Sequence, residues 1–383
     1  MRCSVAVLAA SLAGMVTVQP AGAVLFYAGM NLSGAEFGQT SLPGIFGTHY
    51  TYPTNAEVDY YQRKGLNTFR IPIRWERLQR SLNAPLDATE QGRLTAFVNY
   101  ATSKGATVII EPHNFCRYYP LPASNFQTST VGLLGSDVPI SAFADFWSRV
   151  ANVYKGNPKV SFNLMNEPAN INTDVWISAA NSAITAIRNT GATNQIQVPG
   201  NRYTGAWTWN NSDQWGRSNA AAMLDIVDPL NSTLIEVHQY FDNDGSGTSP
   251  TIGGNNVNIG AARLGAFTTW ARTHRKKAFL GEFAFANSMF GTAPGQIGDE
   301  ALVNTLNYLA ANSDVWTGWA WWGGGPWWPS DYLFNPNPIG GYTNGVDRPM
   351  MQYLTRFAGP AVVPEPSALA WLALPAMLLR RRR

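Results

Sequence analysis

The sequence predicts an α/β fold, a single (βα)8 barrel, and three observations predict it. Short runs rich in β-branched and apolar residues recur along the chain. Stretches of helical period separate most of them. Polar and charged side chains gather where the short runs stop. Short strands alternating with helices of about ten residues or more imply parallel βαβ units. Eight such strands between residues 24 and 358 fit a closed TIM-type barrel. An open doubly wound sheet is the runner-up. It usually opens with a Gly-rich phosphate turn after its first strand, and Gly29-Met30-Asn31 is not one.

In chain order, the strands are expected at 28–32, 68–73, 107–112, 160–166, 195–199, 233–238, 278–282 and 317–322. Helices are expected at 56–64, 89–104, 140–154, 176–190, 261–274 and 300–312. The second helix shows the pattern. Leu94, Phe97, Val98 and Ala101 recur at three- and four-residue spacing, and Gly105 follows as a cap. Neither a Pro/Ser-rich linker nor an internal repeat divides 24–358.

Composition narrows the class. The 383 residues are 45% apolar, 13% charged and 12% aromatic, which excludes a disordered chain. Two cysteines cannot make a disulfide-dense scaffold. The net charge of +3 suggests an acidic partner until its location is considered. Residues 1–23 read as a secretory signal: Arg2, an apolar run over 5–18 broken by Ser11 and Thr17, then Ala21-Gly22-Ala23 as a small-residue cleavage site. Residues 359–383 contain Pro364-Glu365-Pro366, an apolar run over 367–379, and Arg380 to Arg383. That run reaches about 20 Å, short of the ~30 Å bilayer core. The order resembles the PEP-CTERM sorting tail of Gram-negative bacteria. The resemblance implies exosortase processing, only transient membrane contact through the tail, and delivery to the cell envelope or exterior. The two ends hold five of the 27 basic residues and one of the 24 acidic ones. The core, 24–358, keeps 22 against 23, a charge of −1, so no nucleic-acid partner is expected. Cys116 is the one cysteine left in it.

The polar residues share a topological address. Arg70 closes the second strand; His113 and Asn114 follow the third; Asn166-Glu167 ends the fourth. His238-Gln239-Tyr240 ends the sixth, Glu282 the seventh, and Trp321-Trp322 the eighth. A single Glu there reads as a helix cap or ion-pair member, and a single His as a structural residue. In a barrel all these ends meet on one face, where active sites sit. The chemistry suggested is glycoside hydrolysis, which needs two carboxyl groups flanking one bond. Arg70 can hold one carboxylate ionised, Tyr240 can donate to it, and Asn166 can bind a sugar hydroxyl. Trp207, Trp209, Trp327 and Trp328 lie in loop contexts that favour a cleft wall over core packing. Four histidines without ligand spacing argue against a metal site, and no cofactor is expected. Asp242-Asn243-Asp244-Gly245-Ser246 resembles the start of a calcium loop but lacks a Glu at position twelve.

The core resembles glycoside hydrolase family 5 of clan A, in its branch of fungal and bacterial endo-β-1,4-glucanases. The resemblance rests on Ser33-Gly34-Ala35-Glu36-Phe37-Gly38, Phe69-Arg70-Ile71-Pro72, Pro112-His113-Asn114-Phe115, Asn166-Glu167, Gly205-Ala206-Trp207-Thr208-Trp209, His238-Gln239-Tyr240 with Asp242 to Ser249, Gly281-Glu282-Phe283, and Trp321-Trp322 with Gly325-Pro326-Trp327-Trp328. It implies a monomeric, retaining enzyme acting on β-glucan. Glu167 would be the acid/base, Glu282 the nucleophile, and Arg70, His113, Asn166, His238, Tyr240 and Trp321 their supports. Retention implies carboxyls about 5–5.5 Å apart. Mannan, xyloglucan or mixed-linkage glucan are alternative substrates, and a non-catalytic carbohydrate-binding barrel is an alternative class. Pro168 after the acid/base departs from the fungal branch, which often has an aromatic there.

Overall fold

The structure, a computed structural model, describes residues 27–119, 131–291 and 296–359. The signal expected at 1–23 and, apart from residue 359, the sorting tail expected at 359–383 lie outside the described residues. The strands are β1 (Tyr27–Leu32), β2 (Thr68–Ile73), β3 (Thr107–Pro112), β4 (Arg117–Tyr118), β5 (Gly132–Leu133), β6 (Val160–Asn163), β7 (Ile196–Pro199), β8 (Thr233–His238), β9 (Ala278–Phe283) and β10 (Trp316–Gly324). The helices are α1 (Asn55–Arg63), α2 (Trp75–Leu78), α3 (Ala88–Ser103), α4 (Ile140–Tyr154), α5 (Thr173–Asn189), α6 (Asn219–Ala222), α7 (Ile259–Thr273), α8 (Ile297–Ala311) and α9 (Met351–Phe357).

Eight strands close into a barrel in the order β1-β10-β9-β8-β7-β6-β3-β2, every pair parallel. This is the expected (βα)8 barrel. The short β4–β5 ribbon stands apart. Parallel neighbours force each connection to cross back over the sheet, and the helices that do so cover the outer face. Their caps are set locally. Asp87 accepts from the Thr89 and Glu90 amides to start α3, and Asn172 accepts from the Asp174 amide to start α5.

The barrel interior is layered. Ile109, Leu234, Phe279 and Ala320 form a small buried cluster separate from the main core. They come from β3, β8, β9 and β10, and β3 does not pair with the other three, so these side chains meet through the interior. Side chains two residues apart share a face. Along β8 the inward positions are Leu234, Glu236 and His238; along β3 they are Ile109, Glu111 and His113. The interior thus passes from an apolar plug, through buried carboxylates, to the polar face of the C-terminal strand ends.

Candidate active site

Arg70 is the hub. It is fully buried, so its charge requires partners on every side. Nη1 donates to Glu282 Oε1 at 2.8 Å and Asn31 Oδ1 at 2.9 Å, and stands 3.3 Å from Glu111 Oε2. Nη2 donates to Asn166 Oδ1 at 2.9 Å and lies 3.6 Å from Glu236 Oε1. Burial works against the cation, but Glu111, Glu282 and Glu236 outweigh it and hold the guanidinium charged. Tyr240 Oη donates to the second oxygen of Glu282 at 2.9 Å. The Glu282 carboxylate is therefore fixed in plane by one donor on each oxygen.

The two histidines are in opposite states. His113 Nε2 takes the Asn166 Nδ2 hydrogen at 3.2 Å, while Nδ1 faces Glu111 Oε1 at 3.1 Å. Asn166 Nδ2 can only donate, so Nε2 is the acceptor and the ring is neutral. Burial pushes its pKa down to about 3, in agreement. His238 lies between two carboxylates, with Nδ1 2.7 Å from Glu167 Oε1 and Nε2 2.7 Å from Glu236 Oε1. Burial disfavours the imidazolium, but Glu236 and Glu282 overcome it and raise the pKa to about 10. Buried Glu111 is pushed well above the carboxylate range by desolvation. Glu236 goes the other way: desolvation is outweighed by His238, and its pKa is lowered.

Carboxylate oxygens of Glu167 and Glu282 and a ring nitrogen of His238 all lie within 4.8 Å of one another. Glu282 is reached through β9 and Glu167 from the turn after β6. Glu167 has φ of +42°, the left-handed region, which costs a non-glycine residue on the order of 1 kcal/mol. Such strain concentrates at functional sites. Among the described residues this is the one His/Glu cluster with metal-ligand spacing. Both His238 nitrogens already face carboxylates, so the ring serves as a double donor and has no lone pair for a cation.

From Glu167 a cleft of about 660 Å³ extends past Tyr203, Trp207, Asn211, Tyr240 and Asp244. Trp207 is 49% exposed, with the Arg263 guanidinium 4.4 Å from its ring centre. Trp327 is also exposed. Trp328 stacks on Tyr332 at 3.8 Å. Two tryptophan expectations need correction. Trp209 is fully buried among Phe267 and Trp270, and is core, not cleft wall. Trp321 is also fully buried, its Nε1 donating to the Phe334 carbonyl. The ring beside the polar cluster is Trp322, parallel to His113 within 14° at 5.6 Å and tethered to Tyr332 Oη. Ala320 lies in the barrel interior, so alternation along β10 puts Trp322, two residues on, on the same inward face and turns Trp321 away.

Sequence reasoning did not single out Asn31, Glu111 and Glu236. The last two were detectable: each is a carboxylate inside an otherwise apolar strand, Thr-Val-Ile-Ile-Glu-Pro and Thr-Leu-Ile-Glu-Val-His. A buried carboxylate needs a partner, and an Arg or His must face it. The Asp242 segment is a turn anchor. Its carboxylate accepts from the amides of Gly247, Thr248 and Ser249 at 3.0–3.2 Å.

Residues 30–325 match the model of the cellulase family, glycosyl hydrolase family 5. Endoglucanase 3 of Humicola insolens is 38% identical over 325 residues, covering 84% of this chain and 76% of its own. An endo-beta-1,4-glucanase of Xanthomonas axonopodis pv. citri, solved as a crystal structure, superposes with a TM-score of 0.80 at 40% identity, over 88% of this chain and all of that one. The Pseudomonas stutzeri endoglucanase Cel5A in complex with cellobiose gives a TM-score of 0.74 at 33% identity, over 87% and 92%. The chain belongs to glycosyl hydrolase family 5, the cellulase family.

Proposed function

We propose that the protein is a retaining endo-β-1,4-glucanase that cleaves internal bonds of cellulose or related soluble β-glucans by double displacement. The observation that carries the reading is that a carboxylate oxygen of Glu167 and one of Glu282 lie within 4.8 Å of each other at the mouth of the barrel. Retaining enzymes hold their carboxyls about 5–5.5 Å apart, whereas inverting ones leave about 6.5–9.5 Å for a water. In the first step Glu282 attacks the anomeric carbon while Glu167 gives its proton to the departing glycosidic oxygen. The products are a glycosyl ester on Glu282 and a shortened glucan. In the second step Glu167 takes a proton from water, the water oxygen attacks the same carbon, and Glu282 leaves as a carboxylate. Arg70 and Tyr240 orient Glu282 and stabilise its charge. His113 and Asn166 brace the floor, and Trp207 and Trp327 offer faces for sugar stacking. A core near neutral charge suits an uncharged polysaccharide.

Residues 24–358 form the proposed catalytic unit, working as a monomer without a cofactor. Export through 1–23 and exosortase processing of 359–383 would deliver it to the envelope or exterior of a Gram-negative bacterium. No helix among the described residues is long and apolar enough to cross a membrane. Reducing-sugar release from carboxymethyl cellulose, β-mannan, xyloglucan and barley β-glucan, measured side by side, tests the substrate. Strongest turnover on the cellulose derivative is expected; strongest turnover on mannan would move the enzyme to a different substrate class.

A further inference from the structure

Glu236 takes no part in the reaction as written, yet both cations of the site, His238 and Arg70, lie against it. It is fully buried on β8, two residues before His238 and on the same inward face. Its Oε1 lies 2.7 Å from His238 Nε2 and 3.6 Å from Arg70 Nη2. The neighbouring strand is shaped around it: a Cβ on Gly281 would stand 1.8 Å from Oε1, so only glycine leaves room for this carboxylate. Gly281 is the residue immediately before Glu282. On the far side of the ring, His238 Nδ1 contacts Glu167 Oε1 at 2.7 Å.

We propose that Glu236 is a positioning residue which, from beneath the cleft, keeps His238 doubly protonated and so presents a fixed Nδ1–H to Glu167. This rests on the reading of Glu167 as acid/base. Each ring nitrogen needs its own hydrogen to donate to the carboxyl oxygen on its side. The placement of charges agrees. The groups facing the His238–Glu236 pair are Arg70 from β2, Glu111 from β3, Glu167 from the turn after β6, Glu282 from β9, and Tyr240 just beyond β8. The cations Arg70 and His238 lie interleaved with the carboxylates Glu236 and Glu282. Arg70 Nη2, 3.5 Å from Nε2, opposes the second charge, which is why an anion at Glu236 is needed. A cation beside Glu167 makes it a readier proton donor and stabilises the carboxylate left behind.

The test begins with the unmodified protein. Imidazole NMR, with the His238 signals assigned by their loss in His238→Gln, should show a doubly protonated ring at about pH 8, well above an ordinary histidine. A singly protonated ring there overturns the proposal, and this readout does not depend on turnover. In Glu236→Gln the ring should lose its second proton at least about 2 pH units lower than in the wild type. With the cation beside the proton donor lost, the alkaline limb of kcat/KM should move up by roughly 1 unit. A Glu236→Gln enzyme slowed equally at every pH, with His238 titrating as before, would reduce Glu236 to packing and contradict the proposal. Gly281→Ala keeps every ionisable group but displaces Glu236, and should shift His238 in the same direction. If neither variant folds, the wild-type spectrum decides. An inactive protein whose His238 is doubly protonated would refute the glucanase reading, with the role given to Glu167, and leave the Glu236–His238 protonation standing by itself.

Discussion

Arg70 Nη1 donates to Glu282 Oε1 at 2.8 Å, with both side chains closed off from solvent. The same guanidinium also faces Glu111 and Glu236, so one cation serves three carboxyls. Arg70→Met should therefore cost about 3–5 kcal/mol of stability, because it leaves buried charges without a partner. Arg70→Lys keeps a charge but not the two-armed geometry, and should lower kcat by about 10²-fold or more while retaining more of the stability. Thermal melts and kinetics on a soluble glucan check both.

Glu167 and Glu282 can be separated kinetically. Glu167→Ala should lose roughly 10²–10⁴-fold on polysaccharide, where the leaving oxygen needs a proton. On an aryl cellobioside with a good leaving group the first step should stay close to wild type, and product release should then wait on the second. Burst-phase kinetics report the two steps. Equal loss on both substrates would remove Glu167 from the acid role.

The tryptophans should divide by burial. Trp209→Ala empties a core site and should cost about 3–5 kcal/mol with little change in KM for the enzyme that still folds. Trp207→Ala removes an exposed ring on the cleft wall and should raise KM for long glucans with a nearly unchanged melting temperature. Melting curves and Michaelis kinetics on the two variants give the comparison.

Much of this was legible in the chain. The strand runs at 68–73, 107–112 and 233–238 coincide with β2, β3 and β8, and the residues at their ends converge as barrel closure requires. Some features were not legible, for physical reasons. The Trp321–Trp322 choice depends on which face of β10 turns inward, which the chain shows only once Ala320 is placed in the barrel interior. Helix α5 begins at Thr173, earlier than its apolar periodicity, because Asn172 caps it through a side-chain bond. The roles of Glu111 and Glu236 depend on which cation the closed barrel brings beside each. Pairing across 166 residues, as between Arg70 and Glu236, is a property of closure and of no local segment.

Away from the site, buried Glu57 closes a capping box at the start of α1, accepting from the Thr54 amide. Burial raises its pKa from 4.5 to about 7. The folded value lies above the unfolded one, so this contribution is fully present below pH 4.5 and is lost as pH rises through about 7. Glu57→Gln keeps the shape without the titration. The stability difference between wild type and variant, from urea unfolding at several pH values, should change across that window and stay flat below it.

In the proposed reaction Glu282 forms a covalent bond to the sugar. The most direct measurement is intact-protein and peptide mass spectrometry after incubation with an activated 2-deoxy-2-fluoro-cellobioside. One added fluorocellobiosyl group is expected, located on the peptide containing Glu282 and absent in Glu282→Ala. No adduct on an otherwise active enzyme, together with an inverted anomeric product by NMR, or an adduct on a different carboxylate, would contradict it.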